Sequence, residues 1–199
     1  MKNLIKKGII LITLIVFFSV VNFVYAGDTQ VINFNGDNTS SQYFGKPFVD
    51  ILARKIVPNA DYDNINVSVG LKKVGSPTDD VIVSIQSDSS GFPNGTPIET
   101  LNIDGAELST TQTTAFALGD ITVSLLDGVI YWIVFDRSGS QDSSNYYEIN
   151  KGAKDGSGHL LAAYHYDGTW YSDTNNWDFQ GSATLSTSAV SSRRIIMIE

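Results

Sequence analysis

Aromatic side chains are concentrated late in the chain, and polar residues are interspersed with them. A sugar-binding surface needs flat rings that pack against the C–H face of a pyranose, with polar groups nearby that bind its hydroxyls. This region offers both, and the candidate ligand-binding residues are Tyr164, Tyr166, Trp170, Tyr171, Asp173, Asn176, Trp177 and Asp178. The alternative is that several of these rings form cross-strand pairs in a hairpin and belong to the core. We expect Trp177 to face solvent and Trp170 to be partly buried; a sugar platform would require Tyr171 to face solvent as well.

Acidic residues at the ends of predicted strands form a second candidate site. Carboxylates and carbonyls of neighbouring loops can converge there on a hard cation, and calcium is the cofactor that such oxygens could hold. The candidate ligands are Asp61, Asp63, Asp79 and Asp80. Aspartates also make turns by hydrogen-bonding their own backbone, and this alternative stays open on the sequence alone. No other cofactor is expected.

The motifs of nucleophilic and zinc-dependent catalysis are missing from this sequence. It contains no Gly-x-Ser-x-Gly elbow and no His-Glu-x-x-His pattern. It also contains no cysteine, which excludes disulfides, thiolate metal sites and a cysteine nucleophile. A glycosidase needs two well-placed carboxylates, and a count of 21 acidic residues leaves that route open. We nevertheless expect a non-catalytic protein.

The first 26 residues have the pattern of an export signal. Three lysines precede an apolar run from Gly8 to about Val21, and Ala26 ends a tripeptide of the kind that a signal peptidase cleaves. The alternative is an uncleaved anchor, since residues 8–24 could nearly span a bilayer. We predict cleavage after Ala26, which leaves residues 27–199 without a membrane segment. The mature protein would be secreted or held at the cell surface, and export without cysteine favours a prokaryote.

The charge of the chain makes nucleic acid an unexpected partner. The formal net charge is −8, and removal of the predicted signal leaves 10 basic residues against 21 acidic ones, a net charge of −11. Such a surface repels phosphate backbones.

Alternation of apolar and polar residues predicts that β-strands position the candidate binding residues. The segment Ile65–Leu71 alternates strictly, and Val81–Gln86 repeats the pattern. The run Val129–Phe135 is apolar on both faces, which predicts a central strand covered on both sides, with Trp132 in the core. The dipeptide Asp167-Gly168 predicts a type I′ hairpin.

The whole pattern predicts an all-β fold in a single domain over residues 27–199. Many short strands with polar, glycine-rich turns are typical of an antiparallel β-sandwich or jelly roll, here with about ten strands. The segment Gly91–Pro97 is predicted as a loop because it holds several strand-breaking residues. The one helical candidate is Pro47–Lys55.

From about Leu52 to Phe179 the chain resembles the choice-of-anchor β-sandwich domains of exported prokaryotic proteins. The residues that carry the likeness are Leu71–Thr78, Val83–Ile85, Asp88–Gly91, Pro93, Gly95, Gly128–Val134, Ser138–Ser140, Ser144–Tyr147 and Tyr166–Trp170. The resemblance implies a surface-associated jelly roll and names no substrate, because these residues are mostly turns and core.

The sequence therefore predicts an exported, non-catalytic surface β-sandwich that binds carbohydrate or another cell-surface polymer, in adhesion or matrix attachment. The alternative is a structural subunit of a surface layer or appendage that self-assembles by strand addition. Its support is a pair of terminal segments, Thr29–Asn35 and Arg194–Glu199, that could pair at an exposed sheet edge.

Overall fold

The alternating segments of the sequence form β-strands, and the described residues contain no other regular element. The computed structural model describes residues 28–35, 40–111, 116–153, 162–172 and 177–188. The predicted signal peptide over 1–26 and the terminal segment Arg194–Glu199 lie outside these ranges. Within them, no helix exists that could cross a membrane. Residues 28–188 form one compact unit.

The described residues contain 13 strands, all paired antiparallel. They are β1 (Thr29–Asn35), β2 (Ser40–Phe44), β3 (Ile51–Ile56), β4 (Tyr62–Val69), β5 (Leu71–Val74), β6 (Val81–Ser89), β7 (Phe92–Ile103), β8 (Phe116–Leu125), β9 (Tyr131–Arg137), β10 (Tyr146–Ala153), β11 (Ala162–Tyr166), β12 (Thr169–Ser172) and β13 (Trp177–Ser186).

One sheet has seven strands, and β10 and β13 together form its centre. Its order is β2-β10-β13-β4-β8, with β1 also paired to β13 and β5 also paired to β10. β10 and β13 pair with each other only through residues 151–153 and 177–179, so the two strands follow one another along the middle of the sheet. β1 pairs with β13 and β2 with β10 on one side, while β4 pairs with β13 and β5 with β10 on the other.

The other sheet has six strands in the order β12-β11-β3-β9-β6-β7. β9 lies between β3 and β6 and is buried from residue 131 to 135, which confirms the predicted central strand. Trp132 is only 2% exposed, as predicted, and its Nε1 donates to Oδ1 of Asp88 at 2.8 Å.

The two sheets pack face to face over one apolar core. The ring of Phe135 on β9 lies 6.5 Å from that of Phe44 on β2 and 5.7 Å from that of Phe179 on β13, measured between centroids. The predicted fold class, an antiparallel β-sandwich, is confirmed, with more strands than the predicted ten.

The helix predicted over Pro47–Lys55 is wrong. The segment forms a tight turn followed by β3, whose Leu52 and Ile56 enter the core between the sheets while Ala53 is buried on the opposite face. A strand inside a sheet can be covered by side chains on both of its faces, and here this burial overrides the weak helical preference of the segment.

The loop predicted over Gly91–Pro97 is also mostly wrong. The chain reverses at Ser90 and Gly91, where φ is 55° and 89°, and β7 begins directly afterwards. The strand-breaking residues lie where the register between β6 and β7 shifts, and the Gly95 N–H there donates to Gln86 Oε1 at 2.9 Å. Irregular pairing of this kind is tolerated at the edge of a sheet.

Candidate functional site

A tight turn before β3 carries Phe48, which at 67% is the most exposed large apolar side chain among the described residues. Lys46 and Val49 pair across the turn, and the N–H of each donates to the carbonyl of the other, at 3.2 and 3.1 Å. Pro47 takes the second position and Phe48 the third, with φ at 84°. Proline followed by a positive φ is the type II pattern, whose third position favours glycine because a Cβ is strained there.

The conformation of Phe48 therefore costs stability without burying the ring. A non-glycine residue in a sparsely populated backbone region costs about 1–3 kcal/mol, and such strain clusters at ligand sites. A ring that stays mostly in water recovers little of this by burial. The placement of Phe48 thus points to a role outside the folding of this domain.

The β11–β12 hairpin forms the opposite wall of the same site. Its turn is the predicted Asp167-Gly168 dipeptide, with φ values of 47° and 76°, and two successive positive values are the type I′ pattern. The Tyr166 ring, 38% exposed, lies 5.8 Å from that of Phe48, with 36° between the ring planes.

The two turns enclose an open cleft of about 470 Å³. Its lining consists of Pro47, Phe48, Asp50, Gln141, Tyr166, Asp167 and Gly168. Aromatic faces next to carboxylates and an amide are the groups that bind a pyranose ring and its hydroxyls. No lysine or arginine belongs to this lining as far as the chain is described.

Arg137 at the end of β9 holds one wall of the cleft in place. Its Nη1 donates to the Gly45 carbonyl at 2.9 Å and to the Asn145 carbonyl at 2.8 Å. A Cβ on Gly45 would lie 2.4 Å from Arg137 Cδ, so the turn approaches this side chain as only a glycine can. Gln141 lies in the loop between Arg137 and Asn145, and these bonds therefore fix the loop and the turn together.

Asp79 anchors Arg137 by a bidentate ion pair, with Nε to Oδ2 at 2.7 Å and Nη2 to Oδ1 at 2.5 Å. Partial burial raises the pKa of the Asp79 carboxyl, but hydrogen bonds from Arg137 and the Gly139 N–H lower it by more, so the pKa lies below its ordinary value of 3.8. The Tyr147 hydroxyl donates to the Asp79 carbonyl. Burial, and then the charge of Asp79, raise the pKa of Tyr147 far above its ordinary value, so this hydroxyl stays protonated.

Lys46 fixes the first position of the Phe48 turn by contacts with two rings. Its Nζ lies 4.8 Å from the Tyr43 ring centroid and 4.4 Å from that of Tyr146. Cation–π contacts of this kind stabilise by about 0.5–1 kcal/mol at exposed sites. The ammonium group is thereby directed to these rings.

Asp50 lines the cleft and contacts His165 of β11. The Nδ1 atom of His165 lies 2.9 Å from each carboxylate oxygen of Asp50, and the Asp50 N–H donates to the His165 carbonyl at 3.2 Å. Asp136 is close enough to interact with Asp50. Burial raises the pKa of Asp136, the Arg137 N–H opposes this change, and the charge of Asp50 adds to the rise.

The structure separates the aromatic residues of the predicted platform into two groups. Tyr164, Tyr166 and Tyr171 lie on one face of the β11–β12 hairpin, and the rings of Tyr164 and Tyr171 stack at 5.4 Å and 18°. Trp170 lies on the opposite face, half-buried as expected, with its ring 5.1 Å from that of His165. Cross-strand pairing is therefore present, and Tyr166 and Tyr171 remain exposed within it.

Asp178 was predicted as a surface ligand, and this prediction is wrong. Its side chain is fully buried and accepts hydrogen bonds from Arg54 Nε at 2.6 Å and Nη2 at 2.9 Å. The reason is that β13 begins at Trp177, so Asp178 lies within a strand where the sequence suggested a polar turn. Asp173 and Asn176 lie outside the described residues, and so does the side chain of Trp177.

Asp61 and Asp63, two of the predicted calcium ligands, bond to backbone groups at strand ends. Oδ1 of Asp61 accepts the Asp127 N–H at 2.9 Å, and Oδ1 of Asp63 accepts the Ser188 N–H at 2.8 Å. Both bonds join segments that are far apart in the chain, so they differ from the local turn bonds that the sequence left open as the alternative.

Asp79 and Asp80, the other two, are also bound to protein groups. The Asp79 carboxylate binds Arg137, whereas the contacts of Asp80 are made by its main chain: its N–H donates to Ser138 Oγ at 3.0 Å and its carbonyl accepts the Ser138 N–H at 3.0 Å. No group of three or more metal-ligating side chains occurs in the part of the chain that the structure describes. Calcium binding stays a prediction without a converging ligand set there.

Phe48, Asp50 and Gln141 were not singled out from the sequence, although all three line the cleft. A glycine and a proline at positions 45 and 47 were the available turn signal. Nothing in the local sequence signals a phenylalanine at positive φ, because that position normally selects glycine.

Comparison with known proteins adds no name to this site. No protein-family model matches the chain, and no curated protein matches it.

Proposed function

We propose that this protein is an exported, non-catalytic surface β-sandwich that binds carbohydrate in the cleft between the 46–49 turn and the 166–169 turn. The observation that carries the proposal is the exposed Phe48 ring, held at a strained φ beside Tyr166 at the rim of a polar cleft.

In the cleft lining, aromatic rings and polar groups would contact different parts of a sugar. Phe48 and Tyr166 offer faces for the C–H side of a pyranose, and stacking needs no change in the protein because both rings are already exposed. The carboxylates of Asp50 and Asp167 accept hydrogen bonds from hydroxyls, while the Gln141 amide can both donate and accept. Adhesion to a glycan or another cell-surface polymer is the role that such a site would serve.

A glycan array followed by titration calorimetry on the exported protein tests this proposal. Phe48→Gly and Tyr166→Ala should each weaken binding by about 1–3 kcal/mol, taking base–aromatic stacking as a guide to the size of the effect. Ile98→Ala is the matched control, because Ile98 is an exposed apolar residue on β7 that does not line the cleft. Unchanged affinity in both cleft variants would place binding elsewhere.

A structural subunit that assembles by strand addition is the second candidate, and one feature of β1 supports it. β1 pairs with β13 at all seven residues without a register shift, and it has no second strand partner among residues that the structure describes. Among the other edge strands, the pairings of β7 and β8 contain register shifts, and β2, β5 and β12 are shorter, with five, four and four residues. A long, regular edge can accept an added strand. Arg194–Glu199 lies outside the described residues.

Light scattering against protein concentration separates the two candidates. A subunit should assemble by itself at micromolar concentration, and Val31→Lys should suppress assembly, because Val31 is exposed on this edge strand and a lysine there opposes strand addition. A monomer at all concentrations would exclude self-assembly through β1.

A further inference from the structure

We infer that the cleft is selective for a cationic sugar, one that carries a free, protonated amine on the pyranose ring. This inference rests on the proposed carbohydrate function and names the ligand class of the same site. It follows from the charges and rings in the lining.

The lining is acidic and holds no matching cation. Asp50 and Asp167 line the cleft, and no lysine or arginine lines it in the described part of the chain. Asp50 contacts His165, whereas the Asp167 carboxylate accepts no hydrogen bond and forms no ion pair with any residue that the structure describes. Asp136 adds a third carboxyl close to Asp50.

Two basic side chains next to the cleft, Lys46 and Arg137, are already bound to other groups. Lys46 belongs to the same turn as Phe48, but its Nζ is directed to the rings of Tyr43 and Tyr146. Arg137 lies behind the turn, where it is paired with Asp79. A third basic side chain, His165, contacts Asp50, so Asp167 is the carboxylate of the lining that no basic side chain of the described residues contacts, and it favours a cationic ligand.

The rings favour the same ligand charge. Phe48 and Tyr166 offer two electron-rich faces whose planes differ by 36°, next to Asp50 and Asp167. A ring face attracts an ammonium group, more strongly where water is partly displaced. One protonated amine could thus contact a ring and a carboxylate together, whereas a uronic acid would place its carboxylate against Asp50 and Asp167.

Calorimetry with three sugar oligomers tests this inference at about 150 mM salt, where long-range attraction to an acidic protein is largely screened. The probes are β-1,4-linked glucosamine hexamer, its N-acetylated counterpart, which has the same backbone without the charge, and an oligogalacturonate. We expect glucosamine hexamer to bind about five- to tenfold more tightly than the N-acetylated hexamer, as one cation–π contact and one partly exposed ion pair together allow. The oligogalacturonate should bind most weakly.

Substitutions assign this selectivity to the cleft. Asp167→Asn should remove most of the difference in affinity between the two hexamers, and Glu107→Gln, which removes an exposed charge outside the cleft, should preserve it.

Equal affinity of both hexamers for the unmodified protein, with Phe48→Gly still weakening both, would overturn the charge selectivity and leave the proposed function standing. A preference that Asp167→Asn and Glu107→Gln change to the same extent, or that neither changes, would show that Asp167 does not set it and overturn the inference. Failure of every oligomer and every array glycan to bind would overturn the proposed function as well.

Discussion

The buried Arg54–Asp178 pair and the exposed Phe48–Tyr166 cleft combine aspartate with aromatic rings, but only the first supplies its own cation. In the core, Arg54 bonds Asp178 with two hydrogen bonds and lies 4.9 Å from the centre of the Phe34 ring. In the cleft, the lining offers rings and carboxylates without a basic side chain among the described residues.

The comparison separates groups that complete the fold from groups that a ligand can use. The core pair joins β3 of one sheet to β13 of the other, and both side chains are almost fully buried. A buried charge must be paired, because an unpaired one costs several kcal/mol. The cleft stands in water, so its unpaired carboxylate costs little and remains available for binding.

The core pair should show the largest effect. Arg54→Met is expected to lower the free energy of unfolding by about 3–5 kcal/mol, because it leaves the buried Asp178 charge without its guanidinium partner. The double variant Arg54→Met/Asp178→Leu should recover much of this loss. Urea unfolding followed by circular dichroism measures both. A single variant as stable as the unmodified protein would show that the pair does not hold the two sheets together.

Arg137 supports both the sandwich and the cleft, so its replacement should affect stability and binding together. Arg137→Leu is expected to cost about 2–3 kcal/mol, since hydrogen bonds to charged groups contribute more than neutral ones. The same variant should weaken glycan binding, because the Gly45 turn and the 138–145 loop lose their shared donor. Lys72→Leu is a matched control: it breaks the more exposed ion pair with Glu148 and should cost less than about 1 kcal/mol. Equal losses in the two variants would contradict the assigned role of Arg137.

Phe48 should behave in the opposite way to the core pair. Phe48→Gly is expected to raise the free energy of unfolding by about 1 kcal/mol relative to Phe48→Ala, because only glycine relieves the strain at positive φ. Both variants remove the ring and should lose glycan affinity alike. Thermal unfolding paired with calorimetry checks this. Equal stability of the glycine and alanine variants would remove the argument from strain.

The smallest effect concerns pH. The pKa of Asp79 is lowered in the folded protein, so below the ordinary value of 3.8 the unfolded chain binds more protons at this residue than the folded chain does. The stability that Asp79 contributes is therefore complete above that pH and is lost as pH falls through the lowered pKa. Asp79→Asn should flatten the fall in unfolding free energy on acidification. Equal slopes in the unmodified and Asp79→Asn proteins would contradict this contribution.

The sequence determined the elements whose signals are local. Alternation predicted the strand over residues 65–71, although the structure divides it at Gly70. The apolar run ending at Phe135 predicted a central strand, and Asp167-Gly168 predicted its hairpin. Each of these depends on a period of two or on a backbone conformation that particular residues favour, and both can be recognised within a few neighbouring residues.

The tertiary structure alone decided which charged and aromatic residues meet. Asp178 belongs to the core because Arg54, distant in sequence, lies opposite it on the other sheet. Phe48 belongs to the cleft because the 46–49 turn and the β11–β12 hairpin are brought together by strand order, with Arg137 holding one wall. Exposure and pairing are properties of these long-range contacts. A local pattern of residue types therefore predicts strands and turns, but only the assembled sheets determine whether an aspartate meets an arginine or water.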